Sequence, residues 1–164
     1  SASDIQIDSV YQTLANGGVR LPASIIKGCR LPDGTMIDVP KGKPVRVVKT
    51  STAKEVVQMM QAVVDEGELS SELKIPGYHI GAKTGTAQQP NGSGGYKSTY
   101  VVQVTGVAPI KDPQYVVSVV IGNPTKIKTS AAAAPLFKTI MSQVLKTYRV
   151  PPSTTPSPDY PVYY

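Results

Sequence analysis

The sequence predicts an α/β fold of the α+β type, in which helices flank an antiparallel sheet. Two segments, 50–67 and 130–148, carry apolar residues at helical spacing. Three segments between them are rich in β-branched residues and are bounded by turn signals. The last two of these segments are joined only by the turn "PIKDP", so we expect them to be antiparallel neighbours.

The composition is that of one globular domain. The chain has 164 residues, of which 40% are hydrophobic and 17% are charged, and this is enough apolar material for a core. The net charge of +6 comes from dispersed Lys and Arg residues without aromatic interleaving, which argues against a nucleic-acid partner. With one histidine and one cysteine, Cys29, we expect no internal disulfide, no Cys/His metal site and no cofactor, and we interpret Cys29 as a small apolar residue. No apolar run approaches membrane-spanning length and no signal peptide is present, so any anchor is expected to lie outside this chain.

The N-terminal half is predicted to hold two helices with small strands between them. The stretch "DIQIDSVYQTLANGGVR" predicts a short amphipathic helix that stops at residues 16–18. The segment 21–48 alternates short apolar runs with the turn signals "PDG" and "KGKP", which indicates small strands or a hairpin. The stretch "TSTAKEVVQMMQAVVDEG" predicts a longer helix that ends at Gly67, and Thr52 and Glu55 predict a capping box at its start. The apolar faces are expected to be Ile7, Val10, Tyr11 and Leu14 in the first helix, and Val56, Val57, Met60, Val63 and Val64 in the second.

The C-terminal half is predicted to hold the sheet and a closing helix. Strands are expected over residues 79–88, 100–108 and 114–122. Because the run "YVVSVVIG" is apolar on both faces, we expect helices to cover that strand on both sides. Residues 151–164 are rich in Pro, Ser and Thr, and we expect a tail after a domain of residues 1–150, with its tyrosines as anchors along the domain. The closing helix is expected to bury the stripe Phe137, Ile140, Met141, Val144, Leu145 and Tyr148.

The stretch "HIGAKTGTAQQP" has the composition of a strand that receives a ligand. It places a basic residue, two hydroxyls and a glycine side by side, where a purely structural strand favours branched and aromatic residues. Alternation puts Thr84 and Thr86 on one face and Lys83 with Gly85 on the other. The two hydroxyls can therefore bind one carboxylate while the ammonium supplies positive charge nearby. Gly85 leaves room for a substrate backbone that adds to the strand.

The sequence "KTGT" resembles the third active-site motif of penicillin-binding proteins and serine β-lactamases. The resemblance extends over nearly the whole chain. The segments "SVYQTLANGGV", "STAKEVVQMMQAVVDEG", "GYHIGAKTGTAQ", "VVQVTGVAPIKDPQYVVSVVIGNP" and "AAAAPLFKTIMSQVL" are similar, in order and spacing, to the C-terminal part of the transpeptidase domain of class B penicillin-binding proteins. The resemblance therefore implies that fold for residues 1–150.

The resemblance also implies a function. It implies a D,D-transpeptidase that cross-links peptidoglycan stem peptides, that is acylated by β-lactams, and that is expected to have a septal role. In this chain Lys83, Thr84, Gly85 and Thr86 would bind the substrate carboxylate, and the Thr86 N–H would form part of the oxyanion hole. Tyr96 and Lys97 are expected in a glycine-rich loop beside the cleft. The implied partners are the D-Ala-D-Ala stem peptide, β-lactams, the rest of the domain and cell-division proteins, at the extracytoplasmic face of the plasma membrane.

Two further elements of the family's site are not evident in the chain. No S-x-N occurs, and S-x-x-K occurs three times, at Ser24, Ser51 and Ser71, in a chain where about one match is expected by chance, so the pattern alone is weak evidence. We therefore expect the nucleophile to lie outside this chain. Two alternatives stay open, namely a D,D-carboxypeptidase or β-lactamase-like hydrolase and a non-catalytic module that binds a peptide or protein. His79 is interpreted as structural or surface, and Asp65, Glu66, Lys126 and Lys128 as solvated charges.

Overall fold

The structure is a computed structural model that describes residues 2–40 and 42–157. It contains helices α1 (Asp4–Ala15), α2 (Thr50–Glu66), α3 (Ser70–Leu73) and α4 (Ala134–Thr147), with a 3-10 turn over Ser130–Ala132. The strands are β1 (Val19–Arg20), β2 (Gly28–Arg30), β3 (Met36–Asp38), β4 (Val45–Arg46), β5 (Gly81–Pro90), β6 (Tyr96–Ala108) and β7 (Tyr115–Gly122).

The main sheet has the strand order β5-β6-β7 and is antiparallel throughout. Two smaller antiparallel pairs, β1 with β4 and β2 with β3, lie in the segment for which small strands or a hairpin were predicted. The predicted α+β class is therefore confirmed, as is the antiparallel pairing of β6 with β7.

The central strand β6 divides the core into two parts. On one face Val104 and Ala108 pack in a cluster with Phe137 and Met141 of α4. On the other face Val107 packs against residues of α2, with α1 residues at the edge of the cluster. Helices α1 and α4 both contact β7, so both of its faces are covered as predicted.

The helices lie where the apolar periodicity predicted them, with differences at their ends and edges. Helix α1 ends at Ala15, next to the stop predicted at residues 16–18. Its predicted apolar face is wrong at Val10, which is exposed, and the side chain that the helix buries is Thr13. Helix α2 begins at Thr50 after Lys49, so the predicted capping box is wrong: Thr52 lies inside the first turn, and no side chain caps the helix. In α4 the predicted burial is wrong for Ile140 and Tyr148, which are exposed. Tyr148 nevertheless stacks on Tyr115, with ring centroids 5.1 Å apart.

Two predicted strand boundaries are wrong. Strand β5 begins at Gly81 rather than at His79, because the preceding residues form a turn with a bridge between Ile75 and Tyr78. Strand β6 begins at Tyr96, well before the predicted residue 100. The Oδ1 atom of Asn91 accepts hydrogen bonds from the backbone N–H groups of Ser93 and Gly95. The glycine-rich run is thus a tight turn, and pairing continues up to it.

Gly106 is required by the packing of the sheet against α4. A Cβ atom at this position would lie 2.5 Å from the Gly81 carbonyl oxygen and 2.6 Å from Cζ of Phe137. Both neighbours are fully or nearly fully buried, so neither can move aside without displacing the core.

We therefore expect Gly106→Ala to lower the free energy of unfolding by about 1–3 kcal/mol, the usual cost of overpacking. The matched control is Gly122→Ala, because a Cβ at Gly122 meets nothing within 4 Å. Thermal midpoints of the two full-length variants test the expectation. Equal midpoints would show that the sheet and α4 can move apart without loss of stability.

Residues 151–157 run back along the domain. The N–H of Ser153 donates to the Gly77 carbonyl at 2.8 Å, and the Tyr78 hydroxyl donates to the Val150 carbonyl at 2.8 Å. The tyrosines that were expected to anchor the tail lie outside the described residues, so that expectation stays a prediction. The division into a domain of residues 1–150 and a tail of 151–164 also stays a prediction.

Candidate functional site

The motif strand β5 forms one edge of the main sheet. Its only strand partner among the described residues is β6, in a register that pairs Lys83 with Thr105 and Gly85 with Gln103. A sheet edge presents backbone N–H and C=O groups that a further extended chain can pair with. The predicted ligand-binding strand therefore lies at an edge of the sheet, where a further strand can be added.

The register shows which backbone groups of β5 point outwards. The carbonyl oxygen of Tyr100 accepts from Asn123 N–H, so the even-numbered residues of β6 direct their backbone groups towards β7. The odd-numbered residues of β6 then bond to Lys83 and Gly85 on β5. It follows that the N–H and C=O groups of Thr84 and Thr86 point to the free edge.

The side chains of the motif alternate as predicted. Lys83 and Gly85 share a face with Thr105 and Gln103, the face that α1 and α2 cover. Thr84 and Thr86 share the opposite face with Val104 and Val102. The ammonium and the hydroxyls can therefore meet only around the free edge of β5. The Lys83 side chain already bends that way, since Nζ donates to the Thr84 carbonyl oxygen at 2.8 Å.

Lys83 lines an apolar groove together with residues of α1 and α2. The groove has a volume of about 340 Å³. Burial raises the pKa of the Tyr11 phenol, so this hydroxyl stays neutral beside the lysine. The other side chains that line the groove are Val10, Leu14, Val56, Met59, Met60 and Val63, and none of them carries a negative charge. The positive charge of Lys83 is therefore not neutralised within the groove. Sequence reasoning identified Lys83 but not this groove, because its walls come from residues far apart in the chain.

Two glycines of β5 set its distance from neighbouring side chains. A Cβ at Gly85 would lie 3.0 Å from Cγ of Gln103, a contact that a small shift of this side chain relieves. A Cβ at Gly81 would lie 2.8 Å from Cδ1 of Ile110 and 3.0 Å from Cβ of Met60. Gly81 thus lets α2 approach the start of the motif strand closely, which fixes the strand against the helix.

The predicted placement of Tyr96 and Lys97 in a glycine-rich loop is wrong. Both residues belong to β6, and Tyr96 pairs with Pro90 at the far end of β5. Pro90 lies four residues beyond Thr86, about 13 Å along an extended strand. Tyr96 and Lys97 therefore sit on a hairpin arm beyond the motif, and their contact with substrate stays a prediction.

None of the three S-x-x-K serines is shown beside the motif. Lys83 lines the groove with residues of the second half of α2, from Val56 to Val63. Ser51 lies in the first turn of α2, two and a half turns before Met60, which is about 14 Å along the helix axis. The hydroxyl of Ser24 donates to the Ile26 carbonyl in a loop, and that of Ser71 donates to Glu72 on α3.

The remaining polar residues fall into two groups. Glu66, Lys126 and Lys128 are exposed, as predicted for solvated charges, and Cys29 is an exposed free thiol on β2 rather than a packed apolar residue. Asp65, predicted to be solvated, is instead half-buried and accepts hydrogen bonds from Gln61 and from Ser157. His79 contacts Thr155 and Ser157 in the tail, which supports a structural interpretation.

Comparison with known proteins identifies the family. The profile described as "Penicillin binding protein transpeptidase domain" matches residues 1–142. The chain belongs to the penicillin-binding protein transpeptidase family. It is a segment of a transpeptidase domain of the class B type that includes PBP3 and FtsI. The predicted family is therefore confirmed.

Individual relatives agree in sequence and in structure. The chain is 36% identical to penicillin-binding protein PbpB of Mycolicibacterium smegmatis and 34% identical to peptidoglycan D,D-transpeptidase FtsI of Escherichia coli, and each alignment covers 94% of the chain. The crystal structure of penicillin-binding protein 3 from Mycobacterium tuberculosis, complexed with ampicillin, superposes with a TM-score of 0.82 at 36% identity, covering 94% of this chain and 36% of that one. A peptidoglycan synthetase from Bifidobacterium adolescentis superposes with a TM-score of 0.86 at 25% identity, covering 99% of this chain and 30% of that one.

The chain spans about a quarter of the length of these curated relatives, 26% of PbpB and 25% of FtsI. Among residues 2–40 and 42–157, no helix combines the length and the apolar character that a bilayer crossing requires.

Proposed function

We propose that the protein to which this chain belongs is a serine-type peptidoglycan D,D-transpeptidase that acts in septal cell-wall synthesis. The observation that carries the proposal is the position of the motif "KTGT", Lys83 to Thr86, on a strand that forms an edge of the described sheet. The family match and the β-lactam complex of a relative agree with it. The substrates are D-Ala-D-Ala stem peptides, and β-lactams acylate the same serine.

The proposed reaction is acyl transfer. A serine oxygen from outside this chain attacks the penultimate D-Ala carbonyl, the peptide bond breaks, and the terminal D-Ala leaves with a proton on its amine. The amine of a second stem peptide then attacks the ester, which regenerates the serine hydroxyl and forms the cross-link. The Thr86 N–H stabilises the negative charge that develops on the carbonyl oxygen. Lys83 and the hydroxyls of Thr84 and Thr86 bind the terminal carboxylate.

The cellular setting is part of the proposal. The protein would act at the extracytoplasmic face of the plasma membrane, held by an N-terminal segment that is not part of this chain, with the rest of its transpeptidase domain and with cell-division proteins as partners. The similarity to peptidoglycan D,D-transpeptidase FtsI of Escherichia coli supports this setting. Depletion of the protein should block septation and leave cells elongating; cells that round up instead would assign it to elongation.

The reaction type can be tested directly. The purified full-length protein should convert a D-Ala-D-Ala donor to a cross-linked product when an acceptor amine is present, and should release little hydrolysed donor. Predominant hydrolysis would favour the carboxypeptidase or β-lactamase-like alternative. A protein that neither transfers nor hydrolyses the donor, and that takes up no β-lactam, would favour the non-catalytic module.

In the full-length protein, Thr86→Val should slow acylation by penicillin. The substitution removes one hydroxyl that binds the carboxylate and keeps the backbone N–H. A hydrogen bond to a charged group contributes about 1.5–3 kcal/mol, so the second-order acylation rate should fall by about 10- to 150-fold. The matched control is Thr139→Val, on the exposed side of α4, which should acylate normally. An unchanged rate for Thr86→Val would show that this hydroxyl does not contact the carboxylate.

A further inference from the structure

The segment 150–157, here called the strap, crosses the chain just before the motif strand. It contacts three consecutive residues there. Gly77 accepts a hydrogen bond from Ser153 N–H at 2.8 Å, the Tyr78 hydroxyl donates to the Val150 carbonyl at 2.8 Å, and His79 N–H donates to the Ser153 hydroxyl at 3.0 Å. The strap thus holds the backbone that leads into β5.

The strap also contacts α2. The Ser157 hydroxyl donates to Oδ2 of Asp65, and Nε2 of Gln61 donates both to the Ser157 oxygen at 2.9 Å and to Oδ2 of Asp65 at 3.1 Å. Gln61 lies where α2 meets the start of β5, since a Cβ at Gly81 would be 3.3 Å from its backbone nitrogen. The strap therefore joins α2 to the residues that precede the motif strand.

The His79 ring completes this network. Nε2 contacts the Thr155 carbonyl oxygen, which can only accept, so Nε2 carries a hydrogen. Nδ1 lies 3.4 Å from the Ser157 oxygen. The Ser157 hydroxyl donates to Asp65, so the same serine contacts both the His79 ring and α2. The ring therefore lies between the strap and the residues that lead into β5.

We propose that the strap is a positioning element of the transpeptidase site, which holds the start of the Lys83–Thr86 strand against α2 through Ser153 and Ser157. The inference rests on the proposed function. His79 lies four residues before Lys83 and outside the motif, so it acts through the strand and does not touch substrate. Loss of the strap contacts lets the start of β5 move relative to α2, and the motif loses its fixed position.

The strap also faces charged groups from two other elements. Asp65 faces His79 from α2 through Ser157, and Lys111 and Asp112, on the turn between β6 and β7, line the same groove of about 540 Å³ as His79 and the strap. Ser157 is therefore the residue of the strap that connects His79 to α2.

The test compares Ser157→Ala with the wild type in the full-length protein. We expect the variant to be acylated by penicillin about three- to tenfold more slowly, because the strap loses the hydrogen bonds that Ser157 makes with Asp65 and Gln61. Thr154→Ala, an exposed neighbour in the strap, is the matched control and should equal the wild type.

Hydrogen exchange supplies a measurement that does not depend on catalysis. At about pH 5.5 the backbone N–H groups of Gly81, Lys83 and Gly85, which bond to β6, should exchange about three- to tenfold faster in Ser157→Ala than in the wild type. Equal exchange, an acylation rate equal to that of the wild type, or an equal effect of Thr154→Ala would each overturn the proposal. A wild type that takes up no penicillin at any pH would instead reject the proposed function, and the exchange measurement would still decide the role of the strap.

Discussion

The isolated chain of 164 residues is expected to take up no fluorescent penicillin, whereas the full-length protein is expected to label stoichiometrically. The reason is that no S-x-x-K serine is shown beside the motif. Lys83 lines its groove with α2 residues from Val56 onwards, and Ser51, in the first turn of α2, lies about 8 Å along the helix axis before Val56 and about 14 Å before Met60. Covalent chemistry needs reacting atoms within about 3–3.5 Å. The labelling is measured by gel fluorescence, and the labelled peptide is identified by mass spectrometry.

Failure of the isolated chain to fold would also abolish labelling, so the full-length variant Ser51→Ala is tested beside it. We expect this variant to label at the rate of the wild type. Its free energy of unfolding should also change by no more than about 0.5 kcal/mol, as is usual for a surface substitution. Label mapped to Ser51, or loss of labelling in Ser51→Ala, would contradict our assignment and would make "STAK" the nucleophile motif.

Lys83→Ala should reduce acylation of the full-length protein by more than about 100-fold, which is a larger loss than expected for Thr86→Val. The ammonium lies at the free edge of β5 beside a groove whose other side chains carry no negative charge. Its charge is therefore available to an anionic substrate. Penicillins and D-Ala-terminated donors both carry the carboxylate, so the acylation rates of both should fall together.

Stability separates this role from a structural one. Lys83 is exposed, and its ammonium donates a hydrogen bond to the Thr84 carbonyl on its own strand. Lys83→Ala should therefore change the free energy of unfolding by about 0.5 kcal/mol or less. Lys146→Ala, on the exposed end of α4, is the matched control and should change neither rate nor stability. A near-normal acylation rate for Lys83→Ala, or a loss that follows a loss of fold, would contradict the assignment of the carboxylate site.

The sequence was most informative where the deciding property is local. Apolar spacing located α2 and α4, because a helix with one buried face must repeat its apolar residues at the helical period. The same spacing predicted individual buried residues, namely Val57, Met60, Phe137 and Met141. Alternation along the strand placed Lys83 and Thr84 on opposite faces without any knowledge of the fold. Errors occurred at the ends of elements, as at Thr52, because several adjacent residues can cap or open a helix about equally well.

By itself, then, the sequence determined the fold class, the family and the identity of the motif Lys83–Thr86. Only the tertiary structure decided that β5 lies at an edge of the sheet, that Lys83 lines a groove to which Ser51 does not contribute, and that His79 and Asp65 meet in a network with Ser157. These three features depend on pairing and packing between residues far apart in the chain. Such contacts form because each element must bury its apolar face against some partner, and a single sequence shows that a face must be buried without showing which partner covers it.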